Sequence, residues 1–234
     1  MRRVVFALLS SAVLAAAGST SRAEIGVADI VNPNSFLRGG GPTMFRGFRF
    51  SIDTQIAVTA LGFFDYRGNG LDAPTPTILI NLDSQTLLAQ LTLPAGSDAE
   101  LESASVIGIP GSNHGFRFGS LDQPAVLAPG QYAVASFVGG VNPNPGDILL
   151  GGAQQATFGP HITNQGGWSM LRNSASDLGA PFPIGVISGY RGDFGPNFRY
   201  VVPSPATGVP LAAMTMVLIG RRGRKSSRTP GALN

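Results

Sequence analysis

The chain has 234 residues, of which only 12% are charged, and its 16 basic and 13 acidic residues give a formal net charge of +3. It contains no cysteine, which excludes a disulfide framework, and its length is sufficient for one ordinary hydrophobic core. Glycine and proline, 32 and 18 residues, make up about a fifth of the chain, against a usual ~12%. Because 43% of the residues are still hydrophobic, the composition favours turn-rich β-structure over disorder.

The first 23 residues have the pattern of a secretory signal peptide. Arg2 and Arg3 form a charged start, residues 4–17 are almost entirely apolar or small, and small residues occupy the two positions that signal peptidase reads. The apolar run of about 14 residues is shorter than the ~20 that a membrane-spanning helix needs. The sequence therefore predicts export, with cleavage between Ala23 and Glu24.

Residues 24–201 are predicted to form a single all-β domain, an antiparallel β-sandwich of jelly-roll-like type. Short runs of β-forming residues recur at roughly ten-residue spacing between turn residues, and no long segment keeps a helical period. Such a pattern is typical of sandwiches. The runs predicted as strands are 45–51, 55–64, 77–82, 86–93, 103–109, 115–121, 131–138 and 197–202.

The clearest local prediction is a hairpin that turns at residues 83–85. Ile78, Ile80 and Leu82 share one face of its first strand, because successive side chains of a strand point to opposite faces. Every other residue of the second strand is also apolar. The residues predicted to share that second face are Leu87, Ala89, Leu91 and Leu93.

A four-residue pattern of glycine, phenylalanine, arginine and phenylalanine occurs at residues 47–50 and again at 115–118, with a looser copy at 197–200. In a strand the two aromatic rings share one face and the arginine points to the other. We interpret the copies as core strands whose arginines face solvent. The alternative is an aromatic platform that stacks on sugar rings, for which the candidates are Phe48, Phe116 and Trp168.

A glycine-rich stretch after the second predicted strand carries the candidate metal site. The side-chain oxygens of Asp65, Asn69 and Asp72 suit Ca²⁺, which takes six to eight oxygen ligands. The alternative is that Asp and Asn occur here because they favour turns. No other cofactor is predicted.

No catalytic residue is predicted. His114 and His161 have no ligand-type neighbour at the spacing of a zinc site, and the chain contains neither a nucleophile elbow nor a phosphate-binding loop. Glu100 and Glu102 are interpreted as a solvated loop face. The Arg-Gly-Asp tripeptide at residues 191–193 is interpreted as a turn rather than an adhesion motif.

The end of the chain has the pattern of a sorting tail, predicted over residues 202–225, with a disordered end at 226–234. A proline-containing breaker precedes an apolar run at 209–220, which is too short for a stable span, and a basic cluster that would stay on the cytoplasmic side. The motif residues are Val202, Pro203, Ser204, Pro205 and Ala206, with Arg221, Arg222, Arg224 and Lys225 in the basic cluster.

The positive net charge belongs to these two ends. Three arginines lie in the predicted signal peptide and five basic residues lie in or beyond the tail, which leaves eight arginines against 13 acidic residues. The remaining domain therefore has a net charge of about −5. Because no basic stripe remains to neutralise phosphates, we do not expect nucleic-acid binding.

The order of proline motif, apolar run and basic cluster resembles the PEP-CTERM sorting signal of exported bacterial proteins, with Ser204 at the position of the family's glutamate. The preceding domain resembles the β-sandwich domains of unknown function that often carry such tails. That likeness lies in residues 47–50, 58–65, 68–71, 88–89, 115–118, 127–132 and 195–200. The resemblance implies recognition by an exosortase-type transpeptidase and cleavage near Pro203 to Pro205.

The expected protein is exported and non-enzymatic, and it acts at the cell surface or in an extracellular matrix associated with exopolysaccharide. Its expected partners are signal peptidase, an exosortase-type sorting enzyme and extracellular polysaccharide, with a transient membrane contact through the tail. A carbohydrate-binding module is the alternative, and a secreted glycan-active enzyme is the third reading. A tail that is kept as an anchor is the alternative to processing.

Overall fold

The computed structural model describes residues 23–31, 35–37, 44–103, 105–107, 113–138, 149–151, 155–171, 178 and 192–203. The predicted signal peptide before Ala23 lies outside the described residues. So do Ser204, Pro205, Ala206, the basic cluster and the predicted disordered end. The predictions made for these segments stay predictions.

Within the described residues the regular secondary structure consists of β-strands. They are β1 (Glu24–Ile25), β2 (Val27–Val31), β3 (Ser35–Leu37), β4 (Met44–Ile52), β5 (Ile56–Asp65), β6 (Thr75–Asn81), β7 (Thr86–Leu93), β8 (Glu100–Ser103), β9 (Ser105–Ile107), β10 (Gly115–Leu127), β11 (Gly130–Val138), β12 (Leu149–Gly151), β13 (Gln155–Phe158), β14 (Ile162–Leu171) and β15 (Pro196–Val201).

Two five-stranded sheets form a sandwich. The first sheet has the strand order β1-β15-β5-β10-β8 and the second has the order β14-β4-β11-β6-β7, and the pairings within both are antiparallel. A smaller sheet has the order β13-β2-β9 with β2 and β9 parallel, and β3 pairs with β12. The predicted all-β antiparallel sandwich is confirmed.

The strand pairings are nested around one hairpin. β6 and β7 form this hairpin, β5 pairs with β10 around it, β4 pairs with β11, and β1 pairs with β15. Each outer pair therefore joins strands that are farther apart in the sequence than the pair inside it. A long antiparallel ribbon that folds into two facing sheets in this way is the jelly-roll arrangement.

Aromatic side chains from both sheets fill the space between them. The ring of Phe50 on β4 stacks on the ring of Phe198 on β15, with centroids 4.8 Å apart. Full burial of one such side chain contributes about 1.5–3 kcal/mol relative to exposure. The repeated motifs are thus core strands, as interpreted from the sequence, and the inward rings that they supply to one cluster are Phe48, Phe50, Phe116, Phe118, Phe198 and Tyr200.

The second sheet is also apolar on its outer face. The shared face predicted for the first hairpin strand is confirmed, because its three apolar residues belong to one buried cluster there. Leu178 packs against this cluster. The buried members of the cluster are Phe45, Ile78, Ile80, Leu82, Ala133, Ala135, Trp168 and Met170.

A β-bulge changes the face that part of β7 presents. Ile80 pairs with Leu87 whereas Leu79 pairs with Ala89, so that Leu88 is the extra residue. Leu87 consequently packs on the outer cluster, and Ala89 packs on the core between the sheets. The predicted hairpin is confirmed, but the predicted common face of its second strand is wrong for Leu87. The prediction assumed an uninterrupted period of two, which a bulge breaks.

The two ends of the sandwich differ in their connections. Ile52 lies opposite both Gly130 and Ile162, so several strands begin or end at one level, which we name the turn end. Glu24 pairs with Tyr200 at this same end. The opposite end, where β5 ends at Asp65, is named the loop end. The turn end carries the short connections 53–55, 82–85, 128–129 and 159–161, and the loop end carries the longer connections 66–74 and 94–99.

Candidate functional site

The loop end holds the buried charged side chains of the described domain. β5 ends there and β10 begins there, because Asp65 lies opposite Gly115 in the first sheet. β4 also begins there, and residues 192–195 lead into β15 from this end. The described Asp, Glu, His, Lys and Arg residues that are at most 5% exposed are Asp65, His114, Arg117 and Asp193.

Asp65 and Arg117 form a buried ion pair. Asp65 Oδ2 accepts hydrogen bonds from Arg117 Nε at 2.6 Å and from the backbone N–H of Gly70 at 2.9 Å. Arg117 Nη1 also donates to the carbonyls of Ser97 and Ala99, at 2.9 and 2.8 Å. One guanidinium therefore holds the loops after β5 and β7 against β10. Arg117 was interpreted from the sequence as facing solvent. This interpretation is wrong, because Arg117 is buried and forms an ion pair with Asp65 on the neighbouring strand.

The first predicted calcium ligand, Asp65, is already paired with an arginine. Its carboxylate is fully buried and already bound by the cationic guanidinium of Arg117, which opposes the approach of a second cation. Asn69 is exposed, whereas Asp72 is half-buried. Across the described ranges, no group of three or more His, Asp and Glu side chains is arranged to hold a metal ion. The Arg117 guanidinium opposes a cation at Asp65, and the calcium site at Asp65, Asn69 and Asp72 stays a prediction.

The His114 side chain is buried and stacks on two aromatic rings. Its ring stacks on Phe64 and Tyr66, with centroids 6.0 and 5.1 Å away. His114 Nδ1 accepts a hydrogen bond from the backbone N–H of Arg67 at 3.1 Å, which places the proton of the neutral ring on Nε2. Arg67 has a φ of 90°, a strained value for a residue other than glycine, and its guanidinium lies 5.2 Å from the Tyr66 ring centroid.

A second ion pair joins Arg46 of β4 to Asp193. Arg46 Nε donates to Asp193 Oδ2 at 2.7 Å, and the Asp193 carboxylate is fully buried. The backbone N–H of Asp193 donates to the carbonyl of Gly47 at 3.2 Å. The aspartate of the Arg-Gly-Asp tripeptide is therefore part of the folded interior and cannot be presented to an adhesion receptor. Arg191 lies outside the described residues.

The residues proposed for sugar stacking are buried. Trp168, Phe48 and Phe116 each have 0% of their surface exposed. Phe48 and Phe116 belong to the core between the sheets, and Trp168 belongs to the cluster on the outer face of the second sheet. None of the three offers a ring face to a ligand. The aromatic-platform interpretation is therefore wrong for these residues.

Glu100 and Glu102 lie on strand β8, not on the loop that the sequence predicted. Arg199 of β15 donates to Glu100 at 2.7 Å and to Glu102 at 2.9 Å, across the face of the first sheet. The hydrogen bond from Arg199 and its positive charge lower the pKa of Glu100. The Arg199 guanidinium also lies 4.4 Å from the ring centroid of Phe118. These contacts link strands at opposite sides of the first sheet.

The turn end contains polar contacts of its own. The hydroxyl of Tyr200 lies 2.6 Å from the carbonyl oxygen of Pro160 and 3.0 Å from a carboxylate oxygen of Glu24. Burial and the hydrogen bond to the Glu24 carboxylate raise the pKa of Tyr200. His161 Nδ1 lies 2.9 Å from Asp53 Oδ1, but both side chains are largely exposed. Glu24, the residue after the predicted cleavage point, is thus bonded to the last strand.

These contacts fix loops and strand ends rather than activate a nucleophile. Sequence reasoning singled out Asp65 and Arg117 separately but missed their ion pair, because 52 residues separate them. It also missed Asn197, whose side-chain amide bonds both backbone groups of Val27, at 2.9 and 2.8 Å. The only feature of the sequence that singled out Arg117 and Asn197 was that both lie in copies of the repeated four-residue motif.

No protein-family model matches the chain, and no curated protein matches it significantly. Within the residues that the structure describes, no helix has the length and apolar character needed to cross a membrane. The class of protein that the observations define is therefore an antiparallel β-sandwich with jelly-roll strand order.

Proposed function

We propose that this is an exported, non-enzymatic protein of the cell surface or extracellular matrix, delivered by the N-terminal signal peptide and sorted by the C-terminal tail. The observation that supports it most is the pairing of the first strand with the last. β1 begins at Glu24, directly after the predicted cleavage point, and Glu24 pairs with Tyr200 on β15. The folded domain thus fits between the two predicted processing points.

The position of both domain ends supports attachment through one end of the sandwich. Ala23 lies directly before β1 and Val202 lies directly after β15, and both residues are at the turn end. The loop end, with its longer connections, lies at the opposite end. A domain held by its turn end would present these loops away from the attachment point, where binding segments of sandwich proteins are commonly found.

The segment between the last strand and the proposed cleavage motif is short. β15 ends at Val201, and the motif begins at Val202 and Pro203. Prolines keep their neighbourhood extended and cannot donate to a strand ladder, so this segment suits a processing enzyme. We propose cleavage between Pro203 and Pro205 by an exosortase-type transpeptidase, after which the domain remains at the surface or in the exopolysaccharide.

A localisation experiment tests this proposal. The full chain and a variant that ends at Pro203 are expressed in the producing cell, and membrane, surface, matrix and medium fractions are assayed separately. We expect the full chain at the surface or in the matrix and the truncated chain in the medium. A chain with its four tail residues Arg221, Arg222, Arg224 and Lys225 changed to glutamine serves as a finer test. Equal distribution of all three proteins would contradict sorting by the tail.

The alternative of a carbohydrate-binding module depended on three aromatic residues, Phe48, Phe116 and Trp168. All three are buried, so they do not form a face on which a sugar ring could stack. We therefore propose no carbohydrate-binding site.

A further inference from the structure

Among the described strands, β7 is an edge of the second sheet. In the order β14-β4-β11-β6-β7 it has β6 on one side and no strand among the described residues on the other. An edge strand presents a row of backbone donors and acceptors that another strand can bind. β7 spans Thr86–Leu93, and none of its eight residues is charged or a proline.

The other edges of the two main sheets are protected. β8 carries Glu100 and Glu102, and β1 has only two residues, one of which is Glu24. β14 is interrupted by a bulge at Gln165, whose carbonyl accepts a hydrogen bond from Arg49 Nη2 at 2.6 Å. Charges, shortness and bulges are the usual means of blocking edge-to-edge pairing. β7 has a bulge only near its first residues.

The regular part of β7 runs from Ala89 to Leu93. These residues pair one to one with residues 75–79 of β6, without a register shift. Gln90 and Thr92 point outward and are exposed. Two large apolar side chains on edge strands are partly exposed, Leu88 on β7 at 38% and Leu101 on β8 at 37%.

We propose that β7 pairs antiparallel with β7 of a second copy of this chain, which joins the two second sheets into one continuous ten-stranded sheet. An antiparallel strand pair about a two-fold axis uses the same residues twice, so one edge is its own partner. The absence of charge removes like-charge repulsion between two identical edges. With the axis at Leu91, Gln90 lies opposite Thr92 of the second copy, and an amide can bond a hydroxyl.

Cysteine cross-linking on cells tests this pairing directly, because the native chain has no cysteine. Thr92→Cys is introduced into the full-length chain, which is then treated with a short, membrane-permeant bis-maleimide, each end of which adds to one cysteine thiol. Two such residues related by the axis would be diagonal neighbours, about 7–8 Å apart. Thr163→Cys on the exposed face of β14 is the matched control. We expect a band of twice the chain mass that is at least ten-fold stronger for Thr92→Cys.

A second test of the dimer places a charge on the outer edge of β7. Gln90→Lys is added to Thr92→Cys, which brings two like charges together in the pair but leaves the monomer unaffected, because Gln90 is exposed. We expect the cross-linked band to fall at least five-fold. Gln90→Cys alone serves as a second reporter in case Thr92→Cys fails to accumulate.

Several outcomes would overturn the proposal. One is the absence of a dimer band with both reporters, and another is a band of equal strength in the Thr163→Cys control. A cross-linked species of a different mass would show a partner other than a second copy. A band that persists undiminished after Gln90→Lys would show that the edge does not carry the contact. None of these results bears on the sorting proposal, which concerns the two ends of the chain.

Discussion

Asp65 and Arg117 illustrate what single residues do in this domain. The carboxylate lies at the end of β5 and the guanidinium lies on β10, and their pairing closes the loop end of the sandwich. A buried charge without its partner is costly, so each residue depends on the other. Their contribution is to hold loops in place.

Removal of one partner of this pair should destabilise the domain strongly. We expect Asp65→Asn to lower the free energy of unfolding by about 3–5 kcal/mol, because it leaves the Arg117 guanidinium buried without a counter-charge. The measurement is urea unfolding followed by Trp168 fluorescence. Asp98→Asn, on the exposed loop nearby, is the control and should change stability by no more than about 0.5 kcal/mol. Equal effects of both substitutions would show that the pair is not a determinant of stability.

Tyr200 should make the domain less stable at alkaline pH. Burial and the Glu24 carboxylate raise the pKa of Tyr200 in the folded state, whereas in the unfolded chain it ionises near ~10. Its contribution is therefore complete below pH ~10, and stability falls as the pH rises above that value, because the unfolded state then loses a proton that the folded state keeps. Unfolding of Tyr200→Phe should depend less steeply on pH in this range. Parallel curves for the two proteins would contradict the assignment.

At the scale of elements, one side chain adds to the backbone pairing that attaches the N-terminal strands to β15. Asn197 bonds the N–H and the C=O of Val27, at 2.9 and 2.8 Å, in place of a neighbouring strand. Asn197→Ala should cost about 2–3 kcal/mol, because both buried backbone groups lose their partner. Hydrogen exchange at the Val27 amide should accelerate more than exchange at β11, which is remote from it. Uniform acceleration would argue against a local role.

The centre of the second sheet tolerates no side chain at Gly47. A Cβ there would lie 1.9 Å from the Val134 carbonyl oxygen and 2.8 Å from the Ala135 Cα, both of them backbone atoms of β11. Gly47→Ala should therefore cost more than about 3 kcal/mol or prevent folding. Gly96→Ala is the comparison, since its φ is +82° but no atom lies within 4 Å of the added Cβ. A smaller loss at Gly47 than at Gly96 would contradict this packing.

The pattern of apolar residues was sufficient to predict strands but not their pairing. The alternation at Ile78 and Ile80 identified a face correctly, because it depends only on the period of a strand. The bulge at Leu88 could not be predicted, since it is defined by the partner strand. The ion pair of Asp65 with Arg117 could not be predicted either. It depends on the register between β5 and β10, which are far apart in the sequence.

At the scale of the whole molecule, the nested strand order places the first and last strands side by side. Ala23 and Val202 lie at the turn end, and the longer loops lie at the other end. The proposed function uses this polarity, because a domain attached through its turn end would present the longer loops away from the attachment point.

Terminal-peptide mass spectrometry on the native protein, with membrane, surface and medium fractions kept separate, is the decisive test of the proposed processing. We expect a surface or matrix form that begins at Glu24, the first residue of β1, and ends near Pro203 to Pro205. A membrane form that still ends at Asn234 would contradict processing at the tail. A form that still carries residues 1–23 would contradict export by a cleaved signal peptide.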